Sequence, residues 1–449
     1  MIALFFLGVL VAWEALYFGG FIDPDYHDHP LGALPILLDV SFLREFGIMS
    51  LQFVVASIVG GAIAEAVGHL ILRDSWLVRS TIRFLRIGMW IPFIIYWPLP
   101  LWSPWKFDFG RTFAMASIVS VSAVALSAIH CHLVSRFVLN LKQVDARWRL
   151  VRTAILQGLF ISVFSQLWLG PYAWRWYDFG VGGGYAASML VLLLVFAIER
   201  SLRTRFDDVS AVRGNILIRE FDRFTLGTLF GSLLIALLLT GIWQVLSLSP
   251  LEMIFSSPIT VFTVWYGLLL RGTFWEHVYV SFSEVFGGLI LGTGATLILY
   301  RILYTYNYLR DRIFPVLLLL HITFFFSPVI LMWWLGGVGY WQKALGIALF
   351  NIYPIIETFW GLRDRAPGLR LLLAIDNALP YAVVLMVFSE AMAARGGLGF
   401  SMVMAHGSSQ SVPEGIAIAL LTIVLLVICS SILRLLAKRV YLPGDNNSS

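Results

Sequence analysis

The sequence predicts an all-α integral membrane protein of about twelve transmembrane helices, arranged as two tandem six-helix repeats. Hydrophobic residues make up 59% of the 449 residues and charged residues only 13%. A soluble domain has roughly a quarter of its residues charged, so this composition indicates a chain surrounded mainly by lipid. Two further observations, the recurrence of long apolar runs and the uneven placement of Lys and Arg, carry the rest of the prediction.

The apolar runs give the number of spans. A helix needs about 20 mostly apolar residues to cross the hydrocarbon layer of a membrane. Six such runs are predicted near residues 1–20, 50–72, 84–101, 112–139, 153–170 and 183–199. Six more are predicted near residues 226–247, 281–300, 313–334, 343–360, 376–394 and 412–437. Little sequence remains for a soluble catalytic domain.

The positive charges orient these spans. With the N-terminus on the cytoplasmic side, twenty-four of the 31 Lys and Arg residues fall on the inner side and seven on the outer side. Cytoplasmic connections of membrane proteins carry such an excess of Lys and Arg. The sequence therefore predicts that both termini are cytoplasmic, and the same rule explains the formal net charge of +5.

Weak internal similarity predicts the repeat. Matching positions lie 228 to 231 residues apart, and they include Trp13 and Trp243, Pro30 and Pro258, and Gly61 and Gly292. The two halves are expected to be residues 1–222 and 223–449, joined by a basic cytoplasmic linker at about 199–223. Because each half has an even number of spans, the halves are parallel, an arrangement in which transporters often place a pathway at the interface.

An ordered series of short motifs runs through the second half. It comprises Ser257-Pro258-Ile259-Thr260-Val261, Trp275-Glu276-His277, Gly287-Gly288, Trp334 to Gly339, Leu379-Pro380, Ser389-Glu390 and Gly397-Leu398-Gly399-Phe400. This series resembles the permease subunits of ABC importers of the nitrate, sulfonate and taurine group, and the first half follows it more faintly. The resemblance implies a path for a small oxyanion across a bacterial cytoplasmic (inner) membrane. It also implies an ATPase subunit and a periplasmic binding protein as partners.

The chain departs from that family where the ATPase subunit would dock. The resemblance implies a short cytoplasmic docking helix between Pro367 and Pro380, but this interval has too few residues to hold it. The segment from Val144 to Arg152 shows the same contraction in the first half. An ATPase would then have to dock on the remaining cytoplasmic cations, for which the candidates are Arg147, Arg149, Arg152, Arg363, Arg365 and Arg370.

The motifs of common enzymes are missing from the sequence. No Lys follows a Gly, so there is no P-loop to hold ATP phosphates, and neither a His-Glu-x-x-His nor a Gly-x-Ser-x-Gly pattern occurs. The prediction is a transport or scaffold subunit, not an enzyme, and no cofactor. His130 and His132 are about 200° apart around a helix, which disfavours a shared metal ion.

Ionisable side chains inside apolar runs are the candidate functional residues, because each costs roughly 2.5 to 3.5 kcal/mol at the centre of a membrane helix. For Glu390, a polar contact between helices is an equal alternative to a pathway role. For Glu284 and Glu357, which lie near predicted helix ends, a structural role is favoured. The candidate pathway or polar intramembrane residues are Glu65, His130, His132, His321 and Glu390.

Two functions remain open at this point. The first is the membrane permease of an ABC importer, with the ATPase supplied by a partner. The second is a degenerate permease-derived subunit, uncoupled from any ATPase, that scaffolds or anchors a larger membrane complex and has other membrane subunits as partners. Neither function involves nucleic acid, and the subunit composition of the native assembly distinguishes them.

Overall fold

The computed structural model describes the major part of the second half of the chain and shorter pieces elsewhere. The described residues are 11, 14–20, 55, 58, 59, 62, 63, 65–67, 75–88, 126, 129, 130, 133, 134, 214, 217, 218, 226–248, 256–306, 308–310, 313, 314, 317, 321, 339–393, 395–407 and 412–441. Within this part of the chain all regular structure is helical and no strand occurs.

The chain divides into two compact units. The first consists of Met1–Leu70, Ser103–Arg136 and Asn140–Thr204, and the second of Ile71–Trp102, Phe137–Leu139 and Arg205–Ser449. Eight helices of the second unit have defined bounds: α1 Ser75–Gly88, α2 Leu226–Ser247, α3 Pro258–Leu269, α4 Gly272–Thr305, α5 Tyr340–Gly361, α6 Pro367–Ala393, α7 Leu398–Gly407 and α8 Val412–Tyr441.

Four of these helices, α4, α5, α6 and α8, are long and apolar enough to cross a membrane. They correspond to four of the twelve predicted spans, and α2 has the bounds of a fifth, 226–247. The predicted spans near 1–20, 50–72, 84–101, 112–139, 153–170, 183–199 and 313–334 lie wholly or largely outside the described residues. The total of twelve therefore stays a prediction.

Helix ends depart from the sequence prediction where polar residues interrupt an apolar run. Helix α4 begins nine residues before the predicted span because Glu276 and His277 belong to its first turns. Helix α6 also begins nine residues early, at Pro367, a residue whose fixed φ suits the first turn of a helix. The short helices α3 and α7 were not predicted from the pattern.

Helix α1 corrects the prediction that residues 75–83 form a basic loop. Its apolar residues Val78, Ile82 and Leu85 recur at helical spacing and are buried, so the arginines between them lie on an amphipathic helix. The helix packs on α2, where Trp76 Nε1 donates to the Gly227 carbonyl at 3.3 Å. This helix belongs to the second unit, although the sequence division put it in the first half.

The centre of the second unit is a tight helical core. Helices α4 and α5 approach closely at Gly288 and Gly292, which face Ala344 and Ala348. Small residues four apart allow membrane helices this close approach. Large side chains of α5 and α6 fill the interior next to this contact, including the fully buried Ile347, Phe350, Ile355, Ile356, Leu373 and Leu379.

The outer faces of several helices remain apolar. Phe230 and Leu237 on α2, Ile298 on α4 and Ile432 on α8 are all exposed. A soluble helix would carry polar groups on such a face. These faces are therefore the ones that contact lipid, or other apolar protein surfaces, when the helices lie in a membrane.

Candidate functional site

The buried charged side chains of the second unit collect mainly in two groups along α6. We call them the Glu390 group (Ser281, Glu284, Lys343, Glu390 and the backbone of residues 397–399) and the Asp376 group (Arg86, Asp376, Ser430 and Arg434). At 1.5 Å per residue, Asp376 and Glu390 are about 21 Å apart along the helix axis. The Glu390 group therefore lies near the C-terminal end of α6, and the Asp376 group lies in its N-terminal half.

Glu390 is completely buried (0% exposed) and has a full set of hydrogen bonds. The hydroxyl of Ser281, on α4, lies 2.7 Å and 2.9 Å from its two carboxylate oxygens. The Gly399 N–H donates to Oε2 at 2.8 Å, and the Leu398 N–H donates to Ser281 Oγ at 2.7 Å. Ser281 and Glu390 thus accept hydrogen bonds from the N–H groups of Leu398 and Gly399. N–H groups in the first turn of a helix have no partners within that helix.

The chain makes a sharp turn before α7. Gly397 has φ +109°, a region that side-chain-bearing residues rarely adopt. A Cβ at this position would also collide with the Glu390 carboxyl group. The Gly397 N–H donates to Nδ1 of the half-buried His277 at 3.0 Å. The Gly-Leu-Gly sequence is therefore what lets the start of α7 wrap closely around the Glu390 carboxylate.

Glu284 and Lys343 form a buried ion pair between α4 and α5. Lys343 is only 4% exposed and lies in the first turn of α5, although it is one of the seven cations predicted on the outer side. The pairing explains this burial, because removing one partner would leave an uncompensated charge in the interior. Glu284 lies one helical turn after Ser281 on α4. The ion pair is therefore on the same face of α4 as the Ser281–Glu390 contact.

The Asp376 group joins α1, α6 and α8 in the N-terminal half of α6. Arg86 Nη2 from α1 and Arg434 Nε from α8 each donate to Asp376 Oδ2 at 2.9 Å, and the Ser430 hydroxyl donates to the other oxygen. Burial lowers the pKa of the neighbouring Arg83 to about 10, and the Asp376 carboxylate partly opposes that change. Arg83 therefore remains cationic at neutral pH.

His321 contacts the backbone of α5. Its Nδ1 lies 2.7 Å from the Phe350 carbonyl oxygen, and its ring stacks on Phe350 with centroids 4.2 Å apart. In a regular helix that carbonyl accepts from residue 354, which here is Pro354 and has no N–H. The histidine supplies the missing hydrogen-bond donor. These contacts give His321 a structural role, which explains a polar side chain at this position.

The remaining candidate residues lie in either of the two units or outside the described residues. Glu65 and His130 lie partly buried in helical pieces of the first unit, and His132, Arg147, Arg149 and Arg152 lie outside the described residues. Arg363 and Arg365 are exposed between α5 and α6. Arg370 instead packs over the Phe359 ring at 4.6 Å and donates to Tyr300 Oη at 3.3 Å.

The connection between α5 and α6 is short. Helix α5 ends at Gly361 and α6 begins at Pro367, so five residues separate the two helices and none of them is helical. The whole interval from Pro367 to Pro380, in which the family resemblance implies a docking helix, belongs to α6 itself.

Sequence reasoning missed the partners of the buried acids. It identified Glu284 and Glu390 as rare charges in apolar runs, but not Lys343 and Ser281 as the groups that bind them. The sequence did indicate that such partners exist, because a buried carboxylate needs hydrogen-bond donors or a cation nearby. Which donors they find depends on helix packing that a single sequence does not specify.

Among the residues that the structure describes, no group of three or more His, Cys, Asp and Glu side chains is arranged to hold a metal ion. Comparisons with protein-family models, with curated proteins and with solved structures gave no match for this chain.

Proposed function

We propose that this protein is a permease-like subunit of a bacterial inner membrane that works without an ATPase and anchors or scaffolds a larger membrane complex. The proposal includes twelve spans in two parallel halves, with both termini in the cytoplasm. The observation that carries it is the five-residue connection between α5 and α6.

A motor subunit can drive a membrane helix only through a structural element that projects from the membrane and binds it. The first turns of α6 do not project, because Leu369 and Leu373 are buried against Leu362 and, on α8, Ala437. Arg370 is likewise held against aromatic rings of α4 and α5. This packing favours a rigid membrane subunit over a coupled transporter.

The exposed apolar faces support an anchoring role. Helix α2 alone exposes Phe230, Leu233, Leu237, Leu238 and Val245. In a membrane such a surface binds lipid or the apolar helices of another subunit, and helices associate there mainly through packing. Described helices that bury acids such as Glu284, Asp376 and Glu390 and expose broad apolar faces suit assembly within the bilayer.

The second candidate function is an ABC importer permease for a small oxyanion, with a partner ATPase and a periplasmic binding protein. One specific observation favours it: Arg363 and Arg365 are exposed at the α5–α6 connection. Two exposed guanidinium groups provide a cationic surface on which acidic side chains of an ATPase subunit can dock.

The composition of the native complex tests both functions. The affinity-tagged chain would be purified from its native membrane in mild detergent, and its stoichiometric partners identified by mass spectrometry. We expect other membrane subunits and no P-loop ATPase. An Arg363→Ala/Arg365→Ala double variant should recover the same partners as the wild type.

The opposite outcome supports the importer. A stoichiometric ATPase that is lost in the double variant, together with ATP-dependent oxyanion uptake in reconstituted vesicles, would contradict the anchoring role. Arg395→Ala is the matched control, because Arg395 is also exposed but lies beyond the other end of α6.

A further inference from the structure

The Glu390 group contains more negative than positive side chains. Glu390 on α6 is 0% exposed, Glu284 on α4 is 1% exposed and Lys343 on α5 is 4% exposed. Two carboxylates and one ammonium would leave a net charge of −1 in the interior. The donors from Ser281 and Gly399 are neutral, so they stabilise a carboxylate without cancelling its charge.

An uncompensated charge at this depth is unfavourable. Charged side chains inside membrane helices cost several kcal/mol unless they are paired, and buried acids usually respond by taking up a proton. Lys343 already pairs with Glu284 and compensates one carboxylate. Among the residues that the structure describes, no second cation pairs with these two acids, so the second carboxylate needs one further positive charge.

The hydrogen bonds indicate where that charge fits. Both oxygens of Glu390 accept hydrogen bonds from Ser281, and Oε2 also accepts one from Gly399. Glu284 Oε1 binds Lys343, whereas Glu284 Oε2 is buried and has no hydrogen-bond partner. Ser281, which contacts Glu390, and Glu284 are three residues apart on α4 and therefore lie on the same face of that helix. A proton between them would fill the unused position of Glu284.

We propose that Glu284 and Glu390 form a single-proton binding site inside the helical core, and that Lys343 limits its occupancy to one proton. His277 faces the same site from α4, one turn before Ser281, and binds the Gly397 N–H. This inference does not depend on whether an ATPase binds the protein.

Infrared spectroscopy of the purified full chain counts the protons directly. A protonated carboxylic acid has a C=O stretching band that a carboxylate lacks. At neutral pH, the wild-type spectrum minus the Glu390→Gln spectrum should show the band of one acid. Lys343→Met removes the compensating cation, so its spectrum should show one acid more than the wild type.

The control is Glu276→Gln, which removes an exposed acid from the same helix and should leave the band unchanged. Equal carboxylic acid absorption in the wild type and in Glu390→Gln would overturn the proposal. The proposal would also be overturned if the wild type lacked the Glu390-dependent band and its thermal stability rose with Na⁺. A metal cation, not a proton, would then supply the positive charge. If Lys343→Met does not fold, the Glu390→Gln difference spectrum decides alone.

Discussion

A single side chain, His321, compensates for the proline inside α5. Pro354 removes the N–H that would bind the Phe350 carbonyl, and His321 Nδ1 lies 2.7 Å from that oxygen. Buried backbone carbonyls are nearly always paired. The histidine ring also stacks on Phe350 and meets the rings of Tyr353 and Tyr381, so aromatic contacts help to hold it beside the carbonyl.

We therefore predict that the cost of losing His321 depends on Pro354. His321→Phe keeps an aromatic ring but leaves the carbonyl unpaired, which should cost about 1–3 kcal/mol. In a Pro354→Ala background the helix supplies its own N–H, so the same substitution should cost much less. Thermal unfolding of the four proteins in detergent measures this coupling. An equal loss in both backgrounds would show that His321 does not compensate for the proline.

At this scale the sequence predicted which residues are unusual, but not what they contact. Glu390 and His321 were identified because polar groups in apolar runs are costly. Glu390 contacts Ser281, which lies 109 residues earlier in the chain. His321 contacts a backbone carbonyl that has lost its helical N–H partner to a proline. Such contacts follow from the facing of helices, which a single sequence does not specify.

The contact between α4 and α5 is a property of whole elements. Gly292 faces α5, and a Cβ there would lie 2.9 Å from the Ala348 carbonyl oxygen, closer than real Cβ atoms approach. Gly294 lies on the same helix, and a Cβ there meets nothing within 4 Å. The two glycines are thus a matched pair, one required by packing and one not.

We predict opposite effects for alanine at these positions. Gly294→Ala should leave stability unchanged or raise it by up to about 1 kcal/mol, because alanine favours helix. Gly292→Ala should lower the unfolding temperature, because α4 and α5 must separate to admit the methyl group. Comparing the detergent unfolding midpoints of the two variants tests this. Equal midpoints would mean that the close approach is not needed.

Helix existence was predicted better than helix extent. The run at 226–247 agrees with α2 because it is apolar and free of charged residues. The run at 412–437 agrees with α8 to within four residues, because its only charged residues, Glu414 and Arg434, lie close to its two ends. Helix α1 was missed because its arginines were taken to indicate a loop between two spans, although its apolar residues have helical spacing. Charged residues end an apolar run without ending a helix, since the backbone hydrogen bonds continue through them.

At the scale of the whole molecule, composition predicted an all-helical membrane protein, whereas the number of spans and the arrangement of the two halves stay predictions. Four helices of membrane-spanning length agree with a multi-pass protein. The repeat and the boundary near residue 222 rest on sequence similarity alone. The second unit includes α1, so the chain segments do not sort into units simply by their order along the sequence.

The orientation of α6 can be tested directly. The excess of Lys and Arg predicts that the α5–α6 connection is cytoplasmic. Because α6 is long enough to cross the membrane, residue 395 should then be outside. Asp364 and Arg395 are both exposed, so each can be replaced by cysteine after Cys131 and Cys429 are changed to Ala.

In intact cells, a membrane-impermeant maleimide should label Arg395→Cys but not Asp364→Cys, and it should label both once the membrane is permeabilised. The cysteine-free protein is the control for background labelling. Labelling of both positions in intact cells would mean that α6 does not cross the membrane. Labelling of Asp364→Cys alone would invert the predicted topology and place the α5–α6 connection, with Arg363 and Arg365, beyond the reach of any cytoplasmic ATPase.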